Sequence, residues 1–241
     1  HRKKSLSTSG AITAVVVATM CAAAGWSWAL LLIAFFLSGT ALSRYREAVK
    51  RARTESVVAK GGERDGWQVL ANGGVFASAA LASVIFPNAW WPLFGAGAIA
   101  AATADTWSTE IGTLSSALPI SIVSWKKVAS GTSGGITALG AFAALGGALF
   151  IAAGVLLVGW PARAASSAVI GGFLGAALDS VLGAVVQSRR WCDTCERGTE
   201  RAIHVCGNST RHSGGIAWLD NDLVNALSTL FGGLIALLCF H

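Results

Sequence analysis

Charge is what this 241-residue chain has least of: Asp, Glu, Lys and Arg together make up 12%, about half the roughly 25% of an ordinary soluble domain. Too few charges remain to cover the surface of a soluble globule. With 54% hydrophobic residues, a disordered chain, a collagen-like chain and a nucleic-acid coat are excluded as well. No G-x-x-x-x-G-K-[S/T] occurs, so there is no Walker loop. What the chain does have is 29 glycines and a mean hydropathy of +0.60. The composition predicts a multi-span helical membrane protein.

A membrane helix needs about 20 apolar residues, because every backbone group must be bonded internally across about 30 Å of hydrocarbon. Seven spans are predicted, at residues 10–24, 26–42, 67–86, 91–110, 136–158, 165–187 and 218–240. The first two form one run too long for a single helix, divided as a hairpin at Gly25. The expected fold is all-α: one polytopic membrane domain over 1–241, with a cytoplasmic Cys/His loop at 188–217 inserted before the last helix. Trp26, Trp28, Trp67, Trp90, Trp91, Trp160, Trp191 and Trp218 stand at or near span ends, where amphipathic rings prefer the headgroups. Pro87, Pro92 and Pro161 mark short turns.

The basic residues test this count. Arg2, Lys3, Lys4, Arg44, Arg46, Lys50, Arg51, Arg53, Lys60, Arg64, Lys126, Lys127, Arg189, Arg190, Arg197, Arg201 and Arg211 all fall on one side of a seven-span chain, leaving Arg163 alone on the other. So one-sided a distribution obeys the positive-inside rule. The N-terminus is expected in the cytoplasm, the C-terminus on the opposite side, and the chain in a bacterial inner membrane. The net charge of +6 is then topological and implies no nucleic acid. A secretory signal at the start is the alternative, but the apolar stretch continues past Leu37. The first residue is not Met, so the chain is expected to begin inside a longer protein, with room for a further upstream span.

Ionisable residues inside apolar spans are expensive, and they mark function by default. Four clusters stand out. Asp65, Gln68 and Asn72 share one helix face, spaced i, i+3, i+7. Asp105 and Thr109 share a face near the end of span four, with Glu110 rotated away. Asp179 and Gly183 lie a turn apart in span six, and Gln187 a turn beyond. Asp222 and Asn225 open span seven. On the expected topology all four lie in the cytoplasmic half, which describes a pocket open to the cytosol. The plainer alternative is that each acid pairs with a loop Arg.

After span four, Lys126 and Lys127 precede Ser130-Gly131-Thr132-Ser133-Gly134-Gly135, rich in hydroxyls and amides, at the start of span five. Such a segment at a helix N-terminus suits a phosphate, although Gly/Ser linkers also simply join spans. Of five cysteines, Cys21 and Cys239 lie in spans and read as core. Cys192-x-x-Cys195 and His204-x-Cys206, the latter pair expected on one side of a strand, make a four-ligand set for structural Zn²⁺. His212 is a spare ligand, and a redox or unliganded cysteine pair is the alternative.

The stretches RDGWQVLANGG, ADTWSTEIG, KKVASGTSGGITALG, GAALDSVLGAVVQ and WLDNDLVN, in that order, resemble the integral-membrane family that includes phytyl-phosphate kinase and transmembrane protein 19, a former domain of unknown function (92). The resemblance covers essentially the whole chain. It implies CTP-dependent phosphorylation of a phytyl, geranylgeranyl or polyprenyl monophosphate to the diphosphate. A lipid monophosphate is already an anionic nucleophile, which suits clusters that contain no His. In that chemistry Asp105, Asp179 and Asp222, with Glu110, are expected to hold Mg²⁺, and Lys127 joins the three Asp as catalytic. Lys126, Lys127 and the loop from Ser130 through Gly131, Thr132, Ser133 and Gly134 to Gly135 would hold nucleotide phosphates. Asp65, Gln68, Asn72, Thr109, Gln187 and Asn225 would line the substrate pocket, with membrane lipids around the bundle. The competing functions are an ion-coupled transporter, which should show midplane sites and an inverted repeat, and a non-catalytic zinc-containing assembly factor.

Overall fold

The computed structural model describes residues 5–240; Arg2, Lys3 and Lys4 lie outside the described residues. Helix α1 (Thr8–Ala24) starts where the Ser7 hydroxyl accepts the Gly10 amide, and it stops at Gly25, whose φ of 123° turns the chain into α2 (Trp26–Arg44). The long apolar run breaks at the glycine, as its sequence suggested. A short charged helix, α3 (Glu47–Thr54), precedes α4 (Gly66–Ile85). α5 (Trp91–Gly112) carries Pro92 in its first turn. Strands β1 (Ile120–Ser121) and β2 (Gly135–Ile136) pair antiparallel and lead into α6 (Ala138–Leu157) and α7 (Ala162–Val185). The Cys-rich segment then forms a three-stranded antiparallel sheet, β3 (Arg189–Cys192), β4 (Arg197–Thr199) and β5 (Arg211–Gly214), in the order β4-β3-β5. Helix α8 (Asn221–Phe240) closes the chain.

Five helices are long and apolar enough to cross a membrane: α2, α4, α6, α7 and α8. α1 is apolar but only 17 residues long. α5 has 22 residues and is set apart by burial, since every residue from Leu93 to Ala104 is enclosed by other helices. Predicted boundaries shift where loop strands take over the backbone. Span five begins at Ala138 because Gly135 and Ile136 pair with β1. Span seven begins at Asn221 because the Leu219 carbonyl accepts the Ser188 amide.

The packing has two ends. At one, bulky side chains fill the space: Trp28, Leu31, Phe35, Phe76 and Phe94 are buried, and Trp28 meets Phe76 and Trp160 at centroid distances of 5.0 and 4.7 Å. Trp28 is therefore core and not an interfacial anchor, and Trp191 belongs to β3; Trp26, Trp67 and Trp218 are exposed as expected of anchors. Further along, α5, α7 and α8 touch through bare backbone. A Cβ on Gly171 would sit 2.3 Å from the Gly232 carbonyl oxygen, and one on Gly97 would sit 2.4 Å from that same atom. Close backbone approach of this kind is how small residues join helices that lipid alone would not drive together. The other end carries the loops. There the Ser5 and Ser7 backbone bonds Arg64, Lys50 reaches Glu110, and the Glu200 amide donates to Val57, so that the segments 45–65, 113–137 and 186–220 interlock. Among the described residues, every Lys and Arg but Arg163 lies in or beside these segments.

Candidate functional site

Two carboxylates form the inner part of the site. Asp105 on α5 and Asp179 on α7 lie close enough to repel each other, and neither forms an ion pair among the described residues. The Ser228 hydroxyl on α8 lies 3.2 Å from Asp179 Oδ2, but its proton is shared with the Val224 carbonyl at 2.8 Å. Two carboxylates that share a fraction of one donor form a polar site suited to a cation.

Asp222 joins Asp65 at the rim, bridged by Lys60, whose Nζ lies 2.5 Å from Asp222 Oδ2 and 2.8 Å from Asp65 Oδ2. Burial opposes charge on Lys60, but the hydrogen bonds to Asp222 and Asp65 outweigh it and raise the lysine above its ordinary value. Lys60, followed by the Gln68 amide, holds Asp65 below the usual carboxylate range. Asp65 and Gln68 are also a capping box: each side chain satisfies the other's backbone amide at the start of α4. Asn72 donates to the Gln68 carbonyl inside α4. These three residues thus build the helix start, and among them Asp65 alone is linked to a further candidate, Asp222, through Lys60.

Glu110 has a different partner. It pairs with Lys50, which is buried and whose Nζ also donates to the Leu42 and Ser43 carbonyls at 2.7 and 2.9 Å. The ammonium thus completes the open end of α2. Thr109 is exposed on α5, Asn225 is half-buried on α8, and Lys126 and Lys127 are exposed beside the β1–β2 ribbon. None of these four side chains makes a hydrogen bond or ion pair to the acids among the described residues.

The Ser130–Gly135 segment folds against α7. A Cβ on Gly134 (φ 75°) would sit 2.4 Å from Ala184 Cβ and 2.7 Å from the Ser180 carbonyl, directly beyond Asp179. Gly183 is bare for the same reason: a Cβ there would press on the Gly134 nitrogen and Ser133 Cβ, both at 3.2 Å. The loop does not run straight into the helix, as its sequence suggested. Its last residue, Gly135, enters β2 with Ile136, and Thr137 then caps α6 through the Gly140 amide at 3.0 Å. Among the described residues, the Gly131, Ser133 and Gly134 amides make no backbone hydrogen bond. Those amides, rather than a helix dipole, are the donors available to an anion.

Glu200 enters this assembly from the Cys-rich loop. It accepts the Ser133 hydroxyl proton and, at 2.9 Å, the Gln187 side-chain amide. Its charge is also felt at Asp179. Burial raises Glu200 above the ordinary carboxylate range, against the bonds from Ser133, the Ala59 amide and Gln187. Glu200, Lys60 and Ser228 are the residues that sequence reasoning missed. Lys60 reads in the sequence as a marker of topology, and Glu200 stands in a segment that reads only for its metal ligands.

Cys192, Cys195, His204 and Cys206 form the one group of three or more His, Cys, Asp or Glu side chains placed to hold a metal ion among the described residues, with ligand atoms all within 4.8 Å. His204 and Cys206 lie in a turn and not on a strand; Gly207 (φ 86°) lets its amide return to the His204 carbonyl. His212 sits in β5, outside the cluster. His204 Nδ1 lies 3.3 Å from Cys206 Sγ, and its Nε2 is the one buried side-chain nitrogen or oxygen without a partner among the described residues. The Asn208 amide, then His204, draws Cys206 down to about 6, while its hydrogen bond to Cys206 pushes Cys195 up to about 11.

Long apolar helices around half-buried carboxylates, with loops locked over one end, define an integral membrane protein with a polar site at the end of its bundle. The chain belongs to the family described as Integral membrane protein DUF92, which it matches over residues 1–233. This is the family that the five motifs resembled. The chain is 31% identical to Protein PGR of Arabidopsis thaliana over 257 residues, covering 95% of this chain and 87% of the relative. It is 31% identical to an uncharacterized membrane protein of Methanocaldococcus jannaschii over 218 residues, 90% of this chain and 77% of the relative. A third, uncharacterized membrane protein of a Synechocystis species is 26% identical over 222 residues, 90% and 75% of the two chains. No solved structure matches.

Proposed function

We propose that this protein is an isoprenoid-phosphate kinase that moves a phosphoryl group from CTP or another nucleoside triphosphate to a phytyl, geranylgeranyl or polyprenyl monophosphate. The observation that carries the reading is the Asp105–Asp179 pair, without a cation of its own, beside a Gly–Ser loop fastened to α7 by Gly134 and Gly183. In the reaction an oxygen of the acceptor monophosphate bonds to the γ-phosphorus as the bond to the β-phosphate oxygen breaks. The products are the prenyl diphosphate and a nucleoside diphosphate. No base is needed, because the attacking oxygen is already anionic; the protein's work is alignment and charge compensation.

Asp105 and Asp179 fit Mg²⁺, a hard cation that takes one or two carboxylates together with phosphate oxygens and would here offset charge on the transferring group. Asp222 serves at the rim through Lys60, and Glu110, tied to Lys50, is the weaker candidate. The Gly131, Ser133 and Gly134 amides would hold the nucleotide phosphates, with Lys126 and Lys127 drawing them in by charge. Gln187 would act through Glu200 on the same loop. In this reading α1 and α5 are spans one and four and, with the five long helices, bring the count to seven. The loop end then faces the cytoplasm of a bacterial inner membrane, and the C-terminus lies opposite.

We assign structural Zn²⁺ to the cysteine cluster. Tetrahedral Zn–S bonds of about 2.3 Å separate the sulfurs by about 3.7 Å; Cys192 and Cys206 stand 3.6 Å apart, far beyond a disulfide. Four protein ligands leave no open position, so zinc here holds the loop that delivers Glu200.

The test supplies protein in lipid nanodiscs with Mg²⁺, labelled CTP, and phytyl or geranylgeranyl monophosphate. Labelled diphosphate is the expected product, and its absence with every nucleotide and chain length tried would refute the proposal. D179N should fold and lose turnover.

A further inference from the structure

Among the described residues, Arg64 is a cation at the loop end whose guanidinium is seated against two helices without a hydrogen bond or ion pair of its own. Its backbone is fixed on both sides, by the Ser5 carbonyl and the Ser7 amide, both at 3.1 Å, and the next residue caps α4. The guanidinium then reaches between α2 and α5. It lies where α2 has no side chain: a Cβ on Gly39 would sit 3.3 and 3.7 Å from its two terminal nitrogens and 3.2 Å from Thr106 Cγ2. Five N–H donors are presented there. None of them is used in a hydrogen bond among the described residues.

The charges do not balance either. The acid whose field reaches Arg64 is Glu110, and Glu110 is already held by the buried ammonium of Lys50. A buried ammonium and a half-buried guanidinium share one carboxylate. An uncompensated charge in such surroundings is strongly destabilising unless something of opposite sign is supplied. A carboxylate from the protein is not what arrives, since Asp65 turns to Lys60 and Asp105 bears on Asp179.

We propose that Arg64, seated over Gly39 and beside Thr106, is the anchor of a phosphate-monoester site between α2 and α5. In the kinase reading, on which the identity of its ligand rests, this is where the acceptor's phosphate is held. A monoester brings one to two negative charges and three acceptor oxygens, and the planar guanidinium fork matches two of those oxygens at once. The placement suits the chemistry: Thr106 directly follows Asp105 on α5, and Arg64 directly precedes Asp65. A phosphate on Arg64 would thus lie at the level of Asp105 along α5, on the α2 side, while the Gly–Ser loop lies against α7. Acceptor and donor would approach from opposite flanks of α5.

The experiment uses the full chain in phosphatidylcholine nanodiscs. Dissociation constants are measured for geranylgeranyl monophosphate, geranylgeraniol, inorganic phosphate and CTP, with wild type, R64Q and R64K. R64K keeps the charge that the Lys50–Glu110 neighbourhood folds around, so it reports even where R64Q fails to fold. Losing the bidentate fork should weaken the prenyl monophosphate by about tenfold or more and leave CTP within about twofold. Geranylgeraniol, lacking the phosphate, should bind wild type and variant alike. Monophosphate affinity unchanged in R64K would overturn the proposal, as would a loss confined to CTP. If inorganic phosphate binds in an Arg64-dependent way and the prenyl monophosphate binds no tighter, the anion site stands and the prenyl substrate falls. If R64K turns over prenyl monophosphate with an unaltered KM, the kinase stands and the Arg64 site falls.

Discussion

Replacing Gly134 by Ala tests whether the Gly–Ser loop is fastened to α7 as its contacts require. The substitution has two costs. Gly134 has φ 75°, a conformation that disfavours any L side chain by about 1–2 kcal/mol. Its new Cβ would also stand 2.4 Å from Ala184 Cβ and 2.7 Å from the Ser180 carbonyl, so loop and helix must separate, at an overpacking cost of about 1–3 kcal/mol. Gly159 supplies the control: its φ is 81°, but nothing lies within 4 Å of its Cβ position. G159A therefore carries the backbone cost alone. Unfolding free energies in mild detergent, by denaturant titration, should show G134A less stable than G159A by about 1–3 kcal/mol. The nucleotide KM should rise in G134A and stay at the wild-type value in G159A. Equal losses of stability in the two variants would refute the packing argument, whatever the kinetics.

D105N should fold with wild-type helical content and lose phosphoryl transfer, read by circular dichroism beside the labelled-diphosphate assay. Asp65 is held below its ordinary value by Lys60 and the Gln68 amide. Its stabilisation should be complete above about pH 4 and fade as pH falls through its lowered value; D65N should lose that decline, read as amide exchange in the first turn of α4. Metal analysis of purified wild type should find about one equivalent of zinc, and less than half an equivalent in C192S. Stripping the zinc should expose the segment around Glu200 to protease while the helical content stays unchanged.

The helices were legible because hydrophobic run length is dictated by the bilayer itself. Gly25 and Asp65 announce a break and a start through local chemistry, and both behave so. The sorting of the acids was not legible. Spacing places Asp65, Gln68 and Asn72 on one face, but it cannot say that two of them are spent on capping. Nor can it reveal that Lys50, 60 residues from Glu110, is that carboxylate's partner. These are long-range pairings, decided by which loops meet at the end of the bundle. Glu200 shows the same limit: nothing near it in the chain hints that Ser133 and Gln187 are its partners.

The bare contact among Gly97, Gly171 and Gly232 has one further consequence. α5 and α7 run in the same direction, and Asp105 follows Gly97 by eight residues, just as Asp179 follows Gly171. Both carboxylates thus stand about 12 Å of helix rise from a common rivet. Ser228 lies four residues before Gly232 on α8, which runs the other way and brings its hydroxyl toward that level. The two acids are levelled by backbone meeting backbone, with no side chain between to swing or repack. A methyl group at the rivet would therefore be felt two turns away, as a slip of one carboxylate past the other.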